Sequence, residues 1–370
     1  MRQTPTTSLD YSSDTEPGIS RVTENGQTVY RGPGRRLVRG RRALDRIGAL
    51  VIPPAWTDVW ICANSQGHIQ ATGKDVRGRK QYRYHPAWIA ERDSDKFDSL
   101  RDFALLLPRI RRRVRRDLAR PGLDKPRVLA AIVQLMDRTF IRVGGERYRK
   151  ENGSFGATTL HNRHVKLDGH EIYLDFRGKS GKQHQIEIRD ARVASVIRRC
   201  LDIPGHLFQY REGEDTRTIG AADVNQYLRE ISGSAVTSKD FRTWGGTVHA
   251  TEFLARARRQ GNAAPPRTLA REAVKAAAKI LGNTPAVCRK SYIHPKVLSA
   301  FESDARPEPW RKAGLRDGER LALALLEGAA DAAPVRLVQR RTGARNGSSP
   351  TDTARVRARS RPANTDVHAD

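Results

Sequence analysis

Partway along this 370-residue chain the apolar residues change period, from the alternation of strands to the spacing of helices. Between residues 56 and 86, TDVWICA, HIQATG and RKQYRYHP alternate apolar and polar residues over short runs, broken by NSQG and KDVRG. Such runs, punctuated by turn residues, predict antiparallel strands. Before them, RRLVRGRRALDRIG (35–48) reads as a short basic helix ahead of the Pro53-Pro54 break. The polar run ERDSDKFDS (91–99) reads as a domain junction or a helix cap. The resulting division is a polar, disordered 1–20, a β-rich N-terminal domain over 21–92, and a larger mainly helical domain over 93–330. A tail over 331–370, with eight Arg and no Lys, is read as disordered. The fold class is α+β, and the length alone argues for more than one domain.

Within the helical part, PRIRRRVRRDLAR places Arg109, Arg112, Arg113, Arg116 and Arg120 at helical spacing, as a solvated face or a DNA-facing one. Asp124 caps the next helix, with Pro126 in its first turn and Leu129, Val133, Met136 and Phe140 as its core stripe. That helix delivers Arg142 at its C-terminal end. Residues 157–189 read as a three-stranded meander with turns at Asp168-Gly169 and KSGK. Helices follow at about 190–201, 223–232 and 239–258, then an Ala-rich helix ending at Gly282. Thr284-Pro285 starts a short helix, stopped by Pro295.

Lys and Arg number 68 against 41 Asp and Glu, a net charge of +27. A surplus of that size repels itself unless a polyanion is near, so nucleic acid is the expected partner. Cys62, Cys200 and Cys288 lie too far apart for a disulfide scaffold or an unaided four-cysteine zinc site, and read as thiols in a reducing compartment. Neither a secretory h-region nor a membrane-spanning apolar run is evident. The expectation is a soluble, cytoplasmic, nucleoid-associated protein.

Two familiar patterns carry little. Gly73 to Lys80 has P-loop glycine spacing, but Arg79-Lys80 stands where Lys-Ser/Thr is needed. His161 and His164, if on a strand, face opposite sides and have no Cys or acidic companions for a metal. More informative are basic residues at the ends of distinct elements, together with one tyrosine. Phosphoryl transfer needs a nucleophile, cations around the non-bridging oxygens, and a proton donor for the leaving oxygen. Arg142, Lys179, Arg242 and Tyr292 supply those chemistries, although singly each also reads as a solvated charge or ordinary packing.

The blocks VIPPAWTDVWI, KDVRGRKQYRYHP, FIRVGGERYRKENGSFGATTL, FRGKSGK, KDFRTWGGT and LGNTPAVCRKSYI occur in this order over about residues 35–325. Together they resemble the poxviral and bacterial type IB DNA topoisomerases. The resemblance implies a C-shaped clamp, monomeric on double-stranded DNA, that needs neither ATP nor a divalent metal. It implies that Tyr292 is the nucleophile forming a 3′-phosphotyrosyl link, and that Arg142 and Arg242 bind non-bridging oxygens. Lys179 becomes the general acid for the 5′-oxygen, with Lys182 as rival, and Lys239 supports phosphate binding or proton relay. Asn283 stands where the family often has His, and its amide can donate to a phosphate oxygen without carrying charge. Cys288, one helical turn before Tyr292, reads as packing or as an oxidation-sensitive neighbour.

On the N-terminal strand, Gln81 and Arg83 alternate with Tyr82 and Tyr84. The resemblance makes this segment a major-groove reader, while an ordinary strand with one packed aromatic face is the plainer account. Arg79, Lys80, Tyr148 and the Arg109–Arg120 helix read as phosphate contacts. A tyrosine recombinase or integrase shares the Arg/Lys/Arg/Tyr chemistry, but usually carries its second arginine in HxxR, where Lys239-Asp-Phe-Arg242 stands here. A non-enzymatic architectural DNA-binding protein has no need of this ordered constellation.

Overall fold

A computed structural model describes residues 9–303 and 313–327, and the expectations for residues 1–8 and for the tail at 331–370 fall outside them. The chain forms two compact units, within 1–98 and within 99–370.

In the first unit five strands form one antiparallel sheet in the order β2-β1-β3-β4-β5. These are β1 (Ile19–Glu24), β2 (Gln27–Arg31), β3 (Thr57–Ile61), β4 (Ile69–Lys74) and β5 (Lys80–Tyr84). The β1–β2 hairpin was not anticipated, although Asn25-Gly26 between two alternating runs is a strong hairpin signal. Both turn residues have the positive φ that a type I′ turn needs, 50° and 76°. Helix α1 (Arg41–Ala49) starts later than residue 35, because Leu37 bridges to Arg31 and Val38 N–H donates to the Tyr30 carbonyl. It contributes Ile47 to a small core with Ile19, Val59, Ile61 and Ala71.

The disorder expected over residues 1–20 does not extend to the described 9–20. Asp10 bridges to Gly67, Ser12 N–H donates to His68 Nδ1 at 3.0 Å, and Asp14 pairs with Lys80 at 2.5 Å. Short polar side chains, which composition counts toward disorder, here satisfy groups along the sheet. The P-loop-like run is the β4–β5 turn, where the Asp75 carboxylate accepts the Arg77 and Arg79 N–H groups.

Helix α2 (Pro86–Leu118) continues through 91–99, so that segment is not a helix cap, while the boundary between the two units does fall within it, at Asp98 and Ser99. In the second unit the core is built around α3 (Lys125–Thr139), buried on nearly every side. Asp124 caps it by accepting the Arg127 N–H at 3.1 Å. Around it lie α4 (Glu146–Asn152), the sheet β6 (Val165–Asp168), β7 (Glu171–Arg177), β8 (Gln183–Arg189), and α5 (Ala191–Leu201). An unanticipated hairpin, β9 (Gln209–Glu212) and β10 (Asp215–Thr218), leads to α6 (Ala221–Ser232). Then come α7 (Ser238–Arg259), α8 (Pro266–Leu281), α9 (Pro285–Ser291), α10 (Pro295–Glu302) and α11 (Asp317–Glu327). Pro295 does more than stop a helix: it opens α10 at its first turn.

The meander is shorter than expected, because 157–159 and 162–164 are single 3₁₀ turns and the first strand begins only at Val165. His161 and His164 therefore do not face apart across a strand; their rings lie 5.9 Å apart, and His164 Nδ1 accepts the His161 N–H. Among the described residues no group of three His, Cys, Asp or Glu could hold a metal.

One buried ion network ties α2, α3 and α11 together. Arg111 reaches Asp137 at 2.8 Å and Glu319 at 2.6 Å, and Arg316 adds a second contact to Asp137 at 3.1 Å. Burial disfavours the Arg111 charge, but the two carboxylates outweigh it and raise its pKa. Arg111→Met leaves carboxylates buried without this partner and should cost about 3–5 kcal/mol, read from urea denaturation. A loss below about 1 kcal/mol would mean that Arg316 alone suffices.

Candidate active site

The end of α3 shapes the site first. Phe140 takes a left-handed conformation at φ 56°, unusual for a bulky residue, and closes the helix by donating its N–H to the Met136 carbonyl. Arg142 follows two residues later on an extended segment, held where the Ala157 N–H donates to its carbonyl at 2.8 Å. Gly156 permits this approach, since a Cβ there would lie 2.6 Å from the Arg142 carbonyl oxygen.

Arg242 enters from near the N-terminus of α7, as its fifth residue, and is only 4% exposed. Its Nη1 donates to the Phe140 carbonyl and its Nη2 to the Leu281 carbonyl at 2.8 Å. Burial, and then the like charge of Arg142, bring its pKa down to about 10, so it stays protonated at neutral pH. Burial likewise lowers Arg142.

Asn283 leaves α8 through a turn that needs glycine. Gly282 has φ 62°, and the Asn283 N–H donates back to the Ala278 carbonyl at 2.9 Å. The Asn283 side-chain oxygen accepts from Arg142 Nη2 at 2.5 Å. Asn283 Nδ2 and Arg242 Nε are then buried donors with no hydrogen-bond partner.

Tyr292 caps the C-terminus of α9, with its ring centroid 5.2 Å from the Arg242 guanidinium carbon. Its backbone is held against α7 because Gly246 lacks a Cβ, which would lie 2.4 Å from the Tyr292 carbonyl oxygen. Thr247 Oγ1 accepts the His294 N–H at 3.1 Å and lies 3.5 Å from that same carbonyl. Burial raises the Tyr292 phenol, but Arg242, Arg142 and Lys239 outweigh it and the net shift is downward.

Lys179 stands in the β7–β8 turn, exposed, with Ser180 and Gly181 both at positive φ and its ammonium 5.8 Å from the Tyr148 ring. A hollow of about 310 Å³ is lined by Arg142, Tyr148, Lys179, Lys239, Arg242 and Tyr292, among others. A second, of about 930 Å³, shares Arg142, Lys179 and Arg242 and adds Lys182, His184 and Asn283. The six residues expected to be catalytic thus gather in one place, with Tyr148 and Lys182 beside them. Among the described residues, none of Arg142, Lys179, Lys182, Lys239 or Arg242 has a carboxylate ion-pair partner.

The strand residues expected to touch DNA lie in the other unit. Tyr82 and Tyr84 are exposed and stacked 5.8 Å apart, on the same face as Lys80. Gln81 and Arg83 point to the opposite face: Gln81 Nε2 donates to Asp75, and Arg83 donates to the Val51 carbonyl with its guanidinium over Trp56. Arg79 pairs with Asp75 at 2.7 Å. Cys288 is buried, and burial pushes its thiol up to about 11. Sequence reasoning missed Phe140, Thr247 and His184. The Gly245-Gly246 pair inside a helical run was the visible hint that something packs closely against α7.

A half-buried tyrosine among cations without carboxylate partners among the described residues is an arrangement that suits binding of a phosphodiester. Residues 80–315 match the family described as eukaryotic DNA topoisomerase I, catalytic core, and residues 28–75 match bacterial DNA topoisomerase IB, N-terminal domain. The DNA topoisomerase 1B of Acanthamoeba polyphaga mimivirus is 34% identical over 270 residues, covering 70% of this chain and 80% of that protein. Vaccinia virus (strain Copenhagen) DNA topoisomerase 1B is 22% identical over 229 residues, 61% of this chain and 70% of its own length. Rabbit fibroma virus (strain Kasza) DNA topoisomerase 1 is 22% identical over 260 residues, 69% and 80% of the two chains. The chain belongs to the type IB DNA topoisomerases, of the bacterial and poxviral kind, which work without ATP or a required metal.

The electrostatics of Tyr292 can be measured directly. An ultraviolet difference titration near 295 nm, wild type minus Tyr292→Phe, should show a phenol ionising below its ordinary pKa of 10.0. Arg242→Ala should move that midpoint upward. A midpoint at or above the ordinary value in the wild type would contradict the arrangement.

Proposed function

We propose that Tyr292 attacks a DNA backbone phosphodiester in line, with Arg142, Arg242 and Asn283 holding its non-bridging oxygens and Lys179 protonating the leaving oxygen. The bond from the phenolic oxygen to phosphorus forms as the bond to the 5′-oxygen breaks. The lysine proton goes to that 5′-oxygen, which leaves as a hydroxyl. The downstream duplex then rotates about the intact strand, relaxing supercoils of either sign. The 5′-hydroxyl reverses the step, and because the phosphotyrosyl link conserves the bond energy, no nucleotide is consumed. Lys239 supports phosphate binding or proton relay. Lys182, Tyr148 and the Arg79–Tyr84 segment contact DNA, and the protein acts as a monomer in the nucleoid of the cytoplasm.

The observation that carries this reading is the pair of buried, unpartnered donors, Arg242 Nε and Asn283 Nδ2, beside cations with no carboxylate. Buried donors normally have partners, and a phosphate oxygen supplies what is missing. Asn283→Ala should slow cleavage, with no change in its dependence on pH through the histidine range.

Incubation with supercoiled plasmid, free of metal and nucleotide, should yield a ladder of relaxed topoisomers. Tyr292→Phe should abolish both the ladder and the covalent adduct while leaving salt-sensitive DNA binding intact. An adduct persisting in that variant eliminates Tyr292 as nucleophile. Lys179→Ala should slow cleavage by about 10²–10⁴-fold, the usual contribution of general acid catalysis. A substrate whose 5′ leaving atom is sulfur needs no protonation and should largely recover the rate. Equal defects on both substrates would remove Lys179 as the acid.

A further inference from the structure

His184 lines the same hollow as Arg142, Lys179 and Asn283, yet has no task in the scheme above. It sits opposite Phe176 in the β7–β8 ladder, and the two rings stack at 5.2 Å with an interplanar angle of 11°. Both segments that approach its edge are glycines. A Cβ on Gly178 would lie 2.4 Å from His184 Cδ2, and one on Gly282 would lie 2.5 Å from Cε1. Gly282 needs its positive φ of 62° in any case. Gly178, however, has φ −96°, open to any residue, so what glycine supplies there is room for the ring. Gly178 immediately precedes Lys179, and Gly282 immediately precedes Asn283. The imidazole therefore fills the gap between the neck of the Lys179 hairpin and the turn that presents Asn283.

We propose that His184 is a positioning residue for Lys179, its ring acting as a spacer that fixes the hairpin neck against the Gly282–Asn283 turn. Burial, then the charges of Arg142, Arg242 and Lys182, hold the imidazole down to about 4, so the ring remains uncharged at neutral pH. An uncharged ring adds nothing to the repulsion among those cations, as a spacer requires. Backbone bonds close the turn itself, Gly178 N–H donating to the Lys182 carbonyl at 2.7 Å, but among the described residues no carboxylate pairs with the exposed Lys179 to fix its direction. Displacing a catalytic group by about 1 Å costs on the order of 10²-fold in rate.

The inference rests on the reading of Lys179 as general acid, and the test separates the two. Single-turnover cleavage is measured for wild type, His184→Ala, Gly178→Ala, Lys179→Ala and the His184→Ala/Lys179→Ala pair, on substrates with oxygen or sulfur as the 5′ leaving atom. His184→Ala should slow the oxygen substrate by about 10²-fold and leave the sulfur substrate nearly unchanged, which also shows the variant is folded. Gly178→Ala, whose methyl displaces the ring, should reproduce that pattern. In the double variant the oxygen rate should be no lower than in Lys179→Ala alone. Equal losses on both substrates, or defects that multiply in the double variant, would overturn the proposal. If Lys179→Ala is itself indifferent to the leaving atom, the general-acid role fails, while the double variant still decides whether His184 acts through Lys179.

Discussion

Three chain segments meet at the Arg242 guanidinium, which donates to the carbonyls at the ends of α3 and α8 and lies beneath the Tyr292 ring. Each contact joins an element that carries a different reacting group: Arg142 follows the first carbonyl, Asn283 the second, and Tyr292 is the nucleophile of the proposed scheme. Carbonyl dipoles only partly replace the water lost on burying a full charge. The downward shift of Arg242 to about 10, caused by burial first and Arg142 second, records that deficit. The arrangement is tolerable because the guanidinium keeps its proton well above neutral pH, and it is useful because no carboxylate must be displaced before a phosphate enters. Donors already aimed at the developing charge need no reorganisation during the reaction.

Holding that arrangement requires backbones to come closer than ordinary side chains allow. Gly245 admits the Phe140 ring and Gly246 admits the Tyr292 carbonyl, while a Cβ at either position would lie 2.4 Å from its neighbour. Glycine inside a helix costs about 1 kcal/mol relative to alanine, so α7 carries two such costs in its middle. The offset comes from packing, since most of α7 is buried, including Phe241, Trp244, Val248 and Leu254. Thr247 completes the arrangement through its hydroxyl, which accepts the backbone N–H two residues beyond Tyr292. Rigidity around the tyrosine is therefore supplied by α7, and not by the seven-residue helix α9 that carries it.

Much of this was legible in the residues. Alternation and helical spacing located β3 to β5, α3, α5 to α9 and the two hairpin strands β7 and β8, because burial on one face imposes those periods directly. The ordered basic and tyrosine blocks named residues that the fold gathers around two hollows. Misses fell where local chemistry competes with pattern. Asn25-Gly26 marked a hairpin that was not singled out within the domain expected to be β-rich, and Ser12 and Asp14 satisfied the sheet where composition suggested disorder. The run at 91–99, expected as a junction or a cap, holds the boundary between the units but as the interior of α2, since charged residues propagate a helix well once it is formed. His184 had no signal at all: its part depends on two glycines that come from different elements and meet only in the folded chain.

Charge shows the same division between what residue counts contain and what folding decides. The sequence has 68 basic side chains, and beyond helical pairs such as Arg113–Asp117, Arg120–Asp124 and Glu146–Arg149 their order does not separate those already neutralised from those left free. In the fold, Arg111, Arg113, Arg120 and Arg149 each hold a carboxylate within 3 Å, so binding a phosphate there would compete with an existing pair. Arg142, Lys179, Lys182, Lys239 and Arg242 hold none among the described residues; Arg142, Lys179, Lys239 and Arg242 share the smaller hollow with Tyr292, and Lys182 lines the larger one beside it. An exposed cation without a carboxylate is ordinary, but two half-buried or buried guanidiniums without one are not. Burial and then their mutual repulsion depress Arg242, and their joint field lowers the Tyr292 phenol, so in the proposed scheme one electrostatic imbalance both draws in a phosphodiester and readies the attacking oxygen.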